Sequence, residues 1–289
     1  MSKYTNRIPH KGHHDWALIL GASSGFGGAT ALALATAGFH VFGVHLDRQA
    51  TMKNVEAIIG GIEERGRKAV FFNMNAADPI KREETLDEIR ERFLSDKRAH
   101  VRVLFHSLAF GTLRPFISEI PEEMITKAQM EMTMDVMAHS LVYWTQGLIK
   151  RGLMENGGRI IAMTSEGGSI ALPFYGAVSS AKAALESHIR QLAAELAPRG
   201  ITANGLLAGI TDTPALRKIP GARNMIKVAR RKNPFGRLTR PEDVAEAVVL
   251  LVMEGAHFIS GNIIGVDGAE SKVAFVGQKY PHESGAGNR

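Results

Sequence analysis

An apolar run, a glycine-rich turn and a small-residue helix pattern follow one another near the start of the chain. This succession constrains the fold more than any other feature. Residues 16–48 read WALILGASSGFGGATALALATAGFHVFGVHLDR. Residues 17–20 form a short apolar strand, residues 29–37 a helix of small side chains, and residues 40–44 a second buried strand. Gly21, Gly25 and Gly27 fall in the turn between the first strand and the helix, in the spacing GxxxGxG. Glycine lets a backbone bend sharply and approach a phosphate closely, and a helix N-terminus offers free N–H donors and a positive dipole end. The stretch therefore predicts a pyrophosphate-binding turn at the head of a βα unit.

Helix and strand patterns then alternate along the chain, which predicts an α/β fold with a doubly wound parallel sheet (Rossmann-type) in a single domain. Residues 50–65 read as a helix and 69–73 as a strand, followed by Asn75 and Ala76, which would lie under an adenine. Asp78-Pro79 is an N-cap with proline in the first helical position, opening a charged helix to about Phe93. Residues 101–106 are a buried strand running into the loop HSLAFGTLRPF. A long helix is expected over residues 122–151, with Met124, Met130, Met132, Met134 and Met137 as flexible packing groups. Strands at 159–164, 202–207 and 262–266 and a helix at 241–253 complete the pattern. Residues 1–15 read as an arm and 271–289 as a tail, flanking a domain over 16–270 whose segment 213–234 would act as a substrate flap.

Composition narrows the chemistry. The 289 residues include no cysteine, which excludes disulfides, thiolate catalysis and Cys-ligated zinc, and fits a cytoplasmic protein. His10, His13 and His14 lack a carboxylate or cysteine framework, so no metal is expected. No apolar run is long enough to span a membrane. The net charge of +6 suits anionic ligands without indicating nucleic acid. Much of it lies in residues 214–234, where Arg217, Lys218, Arg223, Lys227, Arg230, Arg231 and Lys232 occur with no acidic residue.

The end of the second strand carries His45, Asp47 and Arg48. An acidic side chain there would bond a ribose 2′-hydroxyl, and an arginine would pair with a 2′-phosphate. Arg48, His45 and Lys53 favour phosphate and Asp47 opposes it, so the balance leans to NADPH, with NADH as the alternative.

The chemistry centres on SEGGSIALPFYGAVSSAK, residues 165–182. Tyr175 and Lys182 stand seven apart. If the helix already includes Tyr175, seven steps of about 100° bring both side chains to one face. A nearby ammonium favours the phenolate and lowers the phenol's pKa, which suits stabilising an oxyanion and then supplying a proton.

These features together resemble the short-chain dehydrogenase/reductase superfamily. GASSGFG is similar to its cofactor turn, and NPFGRLTRPEDVAEAVVLL and ISGNIIGVDGA are similar to its C-terminal segments. Common members have Tyr-x3-Lys, but the position four before Lys182 is Val178, which cannot donate a proton. Tyr175-x6-Lys182 and HSLAF instead resemble the divergent enoyl-acyl-carrier-protein reductases, and FGTLRP, SEGGSIALP and AGITDTPAL resemble the branch named enoyl reductase III. The asparagine that common members carry on the long helix falls at Met137.

The resemblance implies NAD(P)H-dependent reduction of the C2=C3 bond of trans-2-enoyl-acyl-carrier-protein thioesters in bacterial fatty-acid synthesis. It implies Tyr175, Lys182 and Ser165 at the catalytic centre, with Ser165 a hydrogen-bond donor or a small lining residue. It implies Gly21, Ser23, Gly25, Phe26 and Gly27 on the pyrophosphate side, with Ser107, Leu108 and Ala109 along the ribose. Lys182 would also hold the nicotinamide ribose, and Gly209, Thr211 and Thr213 would meet the nicotinamide. A homotetramer and an acidic acyl carrier protein, met by the basic run, are the implied partners. The alternatives are a carbonyl or hydroxysteroid oxidoreductase of the same superfamily and a cofactor-sensing protein without chemistry.

Overall fold

The computed structural model describes residues 14–274. The expected arm, with His10 and His13, and the tail beyond Ala274 lie outside the described residues.

Among the described residues, seven strands form one parallel sheet: β1 (Asp15–Leu20), β2 (His40–His45), β3 (Ala69–Asn73), β4 (His100–His106), β5 (Arg159–Ser165), β6 (Thr202–Ala208) and β7 (Ile263–Val266). Their order is β3-β2-β1-β4-β5-β6-β7. The order reverses between β1 and β4, and a crevice opens at the carboxyl ends of the strands there.

Alternate side chains of the strands feed two cores. Leu18, Leu20, Phe42, Val44 and Leu104 pack on one face, against α3 (Pro79–Phe93), α5 (Ser140–Lys150) and α6 (Gly176–Leu196) through Leu86, Trp144 and Leu185. Ala17, Ile19, Val41, Val103 and Phe105 pack on the other, against α1 (Gly25–Thr36), α2 (Met52–Glu64) and α8 (Pro241–Val252) through Leu34, Ile62 and Val248. Burial on both faces explains why the strands read as continuous apolar runs.

The long helix expected over 122–151 is broken. Pro121–Glu123 forms a separate turn, and α4 (Lys127–Met134) starts only after Thr126. Thr126 and Gln129 make a reciprocal capping box that fixes the start, leaving Met124 outside the helix. A π-helical turn, Asp135–His139, then separates α4 from α5. The segment after β6 contains α7 (Ala222–Lys232), whose Arg223, Lys227, Arg230 and Arg231 are exposed. Among the described residues, no helix is long and apolar enough to cross a membrane.

Candidate active site

The glycine turn comes first in the chain, at the carboxyl end of the central strand β1. Gly21 lies at φ 89, and a Cβ there would stand 2.6 Å from the Ser107 carbonyl oxygen. β1 and β4 therefore pass into their loops in near contact. Ser24 begins α1 without a side-chain cap, and the first turn holds no acidic residue. The open N–H groups of α1 and the close-approaching backbone fit a pyrophosphate. Ser23, Gly25 and Gly27 belong to this turn, and Gly25 faces Thr213 from the loop after β6.

At the end of β2, His45 is buried and its Nδ1 lies 3.0 Å from an Asp47 carboxylate oxygen. Burial pushes the Asp47 carboxyl up, but hydrogen bonds from Thr51, Ser23 and His45 outweigh it and hold the group below its ordinary range. Asp47 is thus a carboxylate beside the turn, while Arg48 is exposed. Asn75 Oδ1 accepts the Ala77 N–H at 3.0 Å, and the Ala76 carbonyl accepts Trp144 Nε1–H at 2.8 Å.

A cavity of about 240 Å³ opens beside this turn. Ten of the expected site residues line it: Phe26, Ser107, Leu108, Ala109, Ser165, Tyr175, Lys182, Gly209, Thr211 and Thr213. The remaining nine, Gly21, Ser23, Gly25, Gly27, His45, Asp47, Arg48, Asn75 and Ala76, lie in the turn and at the β2 and β3 ends rather than on its wall.

Tyr175 stands at the N-cap of α6, one residue before the helix proper, with its carbonyl accepting the Ser179 N–H at 2.8 Å. Phe174 just before it adopts φ 63, a left-handed conformation that turns the chain into the helix. Tyr175 and Lys182 are 8% and 5% exposed, so both are buried side chains on the cavity wall. Lys182 Nζ donates to the Met163 carbonyl at 2.7 Å. Burial lowers its pKa to about 8, with Glu186 opposing.

The phenol departs from expectation. Burial raises its pKa, and a hydrogen bond with Ser165 opposes the rise only in part. The low dielectric around the ring disfavours phenolate more than nearby groups favour it. The phenol is accordingly a neutral donor.

Sequence reasoning missed several wall residues. Gly167 is one: a Cβ there would stand 2.5 Å from Tyr175 Cε1, so the ring needs a glycine beneath it. The EGG of SEGGS was the available signal. Leu172, Val178 and Met137 form an apolar side, and Glu166 and Glu270 a polar one. Met137 sits in the π-helical turn, which His106 supports. His106 is fully buried, with Nε2 2.8 Å from Ser140 Oγ, and Ser140 Oγ donates to the Val136 carbonyl at 2.7 Å. Burial and the charge of Lys182 lower the His106 pKa to about 3, so the imidazole is neutral.

The profile of the family described as "Enoyl-(Acyl carrier protein) reductase" matches residues 21–269. The chain belongs to the enoyl-reductase-like short-chain dehydrogenase/reductases. It is 30% identical over 178 residues to the NADH enoyl-[acyl-carrier-protein] reductase of Aquifex aeolicus, covering 61% of this chain and 64% of that protein. The counterpart in Synechocystis is 34% identical over 60% of this chain and 66% of its own length. The matches to these two enoyl reductases thus span slightly less than two thirds of the relatives' length. The 3-oxoacyl-[acyl-carrier-protein] reductase of Thermotoga maritima is 24% identical over 87% of this chain and 95% of its own. Among solved structures, the Aquifex aeolicus enzyme superposes with a TM-score of 0.77 at 24% identity, covering 91% of this chain and 98% of that one.

Proposed function

We propose that this protein reduces the C2=C3 bond of trans-2-enoyl thioesters carried by an acyl carrier protein, using NADH or NADPH. One observation carries the reading: Tyr175 and Lys182 converge in the cavity across a six-residue spacer, while Val178 and Met137 fill the places where common members carry their tyrosine and asparagine. A ketone takes hydride on the carbon that bears the oxygen. An enoyl thioester takes it at C3, while charge develops on the oxygen at C1. The oxyanion donor must then stand farther from the hydride source, and three residues of helix move an anchor by about 4.5 Å.

The reduced nicotinamide, when bound, supplies the hydride. Tyr175 donates its phenolic hydrogen bond to the thioester oxygen, which a neutral buried phenol does without first taking up a proton. Lys182, fixed on the Met163 carbonyl, contributes positive charge to the cavity that the phenol also lines. Ser165 holds the phenol in place through their hydrogen bond. Leu172, Val178 and Met137 exclude water from the acyl side. The proton that completes the saturated thioester at C2 comes from Tyr175, whose phenol is then reprotonated from solvent.

The open end of α1 and Gly21 would receive the pyrophosphate. Asp47, ionised beside Ser23, favours a free ribose 2′-hydroxyl and hence NADH, against the lean of the sequence toward NADPH; Arg48 is the residue available to a 2′-phosphate. The exposed cations of α7 would meet the acidic carrier protein. A cytoplasmic homotetramer serving fatty-acid synthesis is the setting the family resemblance implies.

A second reading, reduction of a carbonyl, is favoured by the fuller span of the 3-oxoacyl reductase match. Turnover of crotonyl and acetoacetyl thioesters with each cofactor separates the two. The proposal expects crotonyl turnover to exceed acetoacetyl turnover by about a hundredfold, a difference of about 2.7 kcal/mol in barrier. Reduction of acetoacetyl thioester alone would replace it with the second reading.

A further inference from the structure

The chemistry above makes no use of Glu270, a carboxylate 3% exposed that lines the same cavity. It lies past β7, in the short turn Glu270–Lys272. A buried carboxylate is tolerated where donors meet its oxygens. Here Oε1 accepts the Ile210 N–H at 3.1 Å and Oε2 accepts Asn233 Nδ2–H at 3.3 Å.

Those two donors come from different parts of the chain. Ile210 is in the loop after β6, between Gly209 and Thr211 on the cavity wall. Asn233 ends α7: its N–H donates to the Ala229 carbonyl at 2.8 Å, and its Nδ2 also donates to the Asp267 carbonyl at 2.9 Å. Its neighbour Lys232 reaches Glu166, beside Ser165, at 3.5 Å. The loop rests directly on the carboxylate, since a Cβ on Gly209 would stand 3.1 Å from Oε2 and 2.5 Å from Thr239 Oγ1. A buried charge is often no more stabilising than an apolar group of equal volume. What its two oxygens add is direction, because each acceptor fixes one donor's segment.

We propose that Glu270 is a positioning residue, whose carboxylate sets the Gly209–Thr213 loop against the reacting side of the cavity and couples that loop to the end of α7. The inference rests on the reading of the site as a nicotinamide-dependent reductase, and holds whichever acceptor is reduced.

The test compares Glu270→Ala, Glu270→Gln and wild type. Measured are kcat and KM on the best thioester, the Kd of NADH by its fluorescence, and the emission of bound NADH without thioester. The alanine variant is expected to lose about tenfold or more in kcat, the effect of about 1.4 kcal/mol of misplacement, with Kd changed less than about threefold. Emission of bound NADH shifts in the alanine variant. Gln, whose amide oxygen still accepts from Ile210 while its NH2 faces the Asn233 donor, restores part of kcat and of the wild-type emission. Unchanged kcat and emission in the alanine variant would overturn the proposal. So would a Gln variant no better than Ala, with thermal stability and NADH affinity falling together, which is the mark of a structural residue. Should the alanine variant not fold, Glu270→Asp decides: it withdraws the carboxylate from both donors by one methylene and must lower kcat more than Gln does. If crotonyl thioester is not reduced, kcat is read on acetoacetyl thioester; if neither turns over, bound-NADH emission decides. The acceptor assignment can therefore fail without removing this test.

Discussion

Lys182 keeps its charge where burial resists one. With a pKa of about 8, it loses its proton at a pH where an exposed lysine stays charged. Two consequences run in opposite directions. Activity that needs the ammonium falls as pH rises through about 8. Stability does the reverse: between about pH 8 and the ordinary lysine range the unfolded chain holds this proton and the folded chain does not, so raising pH favours folding. A pH series of kcat/KM beside urea unfolding checks both, and Lys182→Arg should flatten the alkaline fall in kcat/KM because guanidinium stays charged. Parallel loss of activity and stability across that window would rule the assignment out. At this scale the spacing of Tyr175 and Lys182, plain in the chain, matches their place on the wall of one cavity. The direction of the Tyr175 pKa was not legible, because it depends on burial that only the assembled pocket creates.

The turn between β1 and α1 is the element most fully written in the sequence. Gly21 is required there by both its φ of 89 and the Ser107 carbonyl 2.6 Å from where a Cβ would stand. Gly21→Ala is expected to cost about 1–3 kcal/mol of stability through backbone strain. It should also weaken NADH binding by about tenfold by moving the turn, equivalent to about 1.4 kcal/mol. Calorimetry and a fluorescence titration measure the two effects; wild-type values for both would show that the turn does not hold the cofactor. The helix expected over 122–151 shows where pattern reading stops. Methionines and charges continue through Met124, but the Thr126–Gln129 capping box starts the helix later. The π-helical turn at Asp135–His139 has no counterpart in hydrophobic periodicity, yet it places Met137 at the cavity.

The whole molecule brings distant segments to one edge. Alternating helix and strand patterns, with the family resemblance, implied a doubly wound sheet, and the order β3-β2-β1-β4-β5-β6-β7 puts the loops after β1, β4, β5 and β6 around one crevice. Gly209, Thr211 and Thr213 were expected there from the resemblance of AGITDTPAL to the enoyl reductases. Glu270 was not, because nothing local to VDGAES distinguishes a wall residue from the start of a tail. Its place follows from β7 pairing beside β6, a tertiary fact.

The central claim is that Tyr175 supplies the oxyanion donor for reduction of an enoyl thioester. The measurement that meets it most directly is crotonyl-thioester turnover with NADH and NADPH, wild type beside Tyr175→Phe. The account predicts turnover by the wild type and a fall of about a hundredfold or more in the variant, the scale of losing one oxyanion donor, with NADH binding retained. Equal turnover by the two proteins would contradict it.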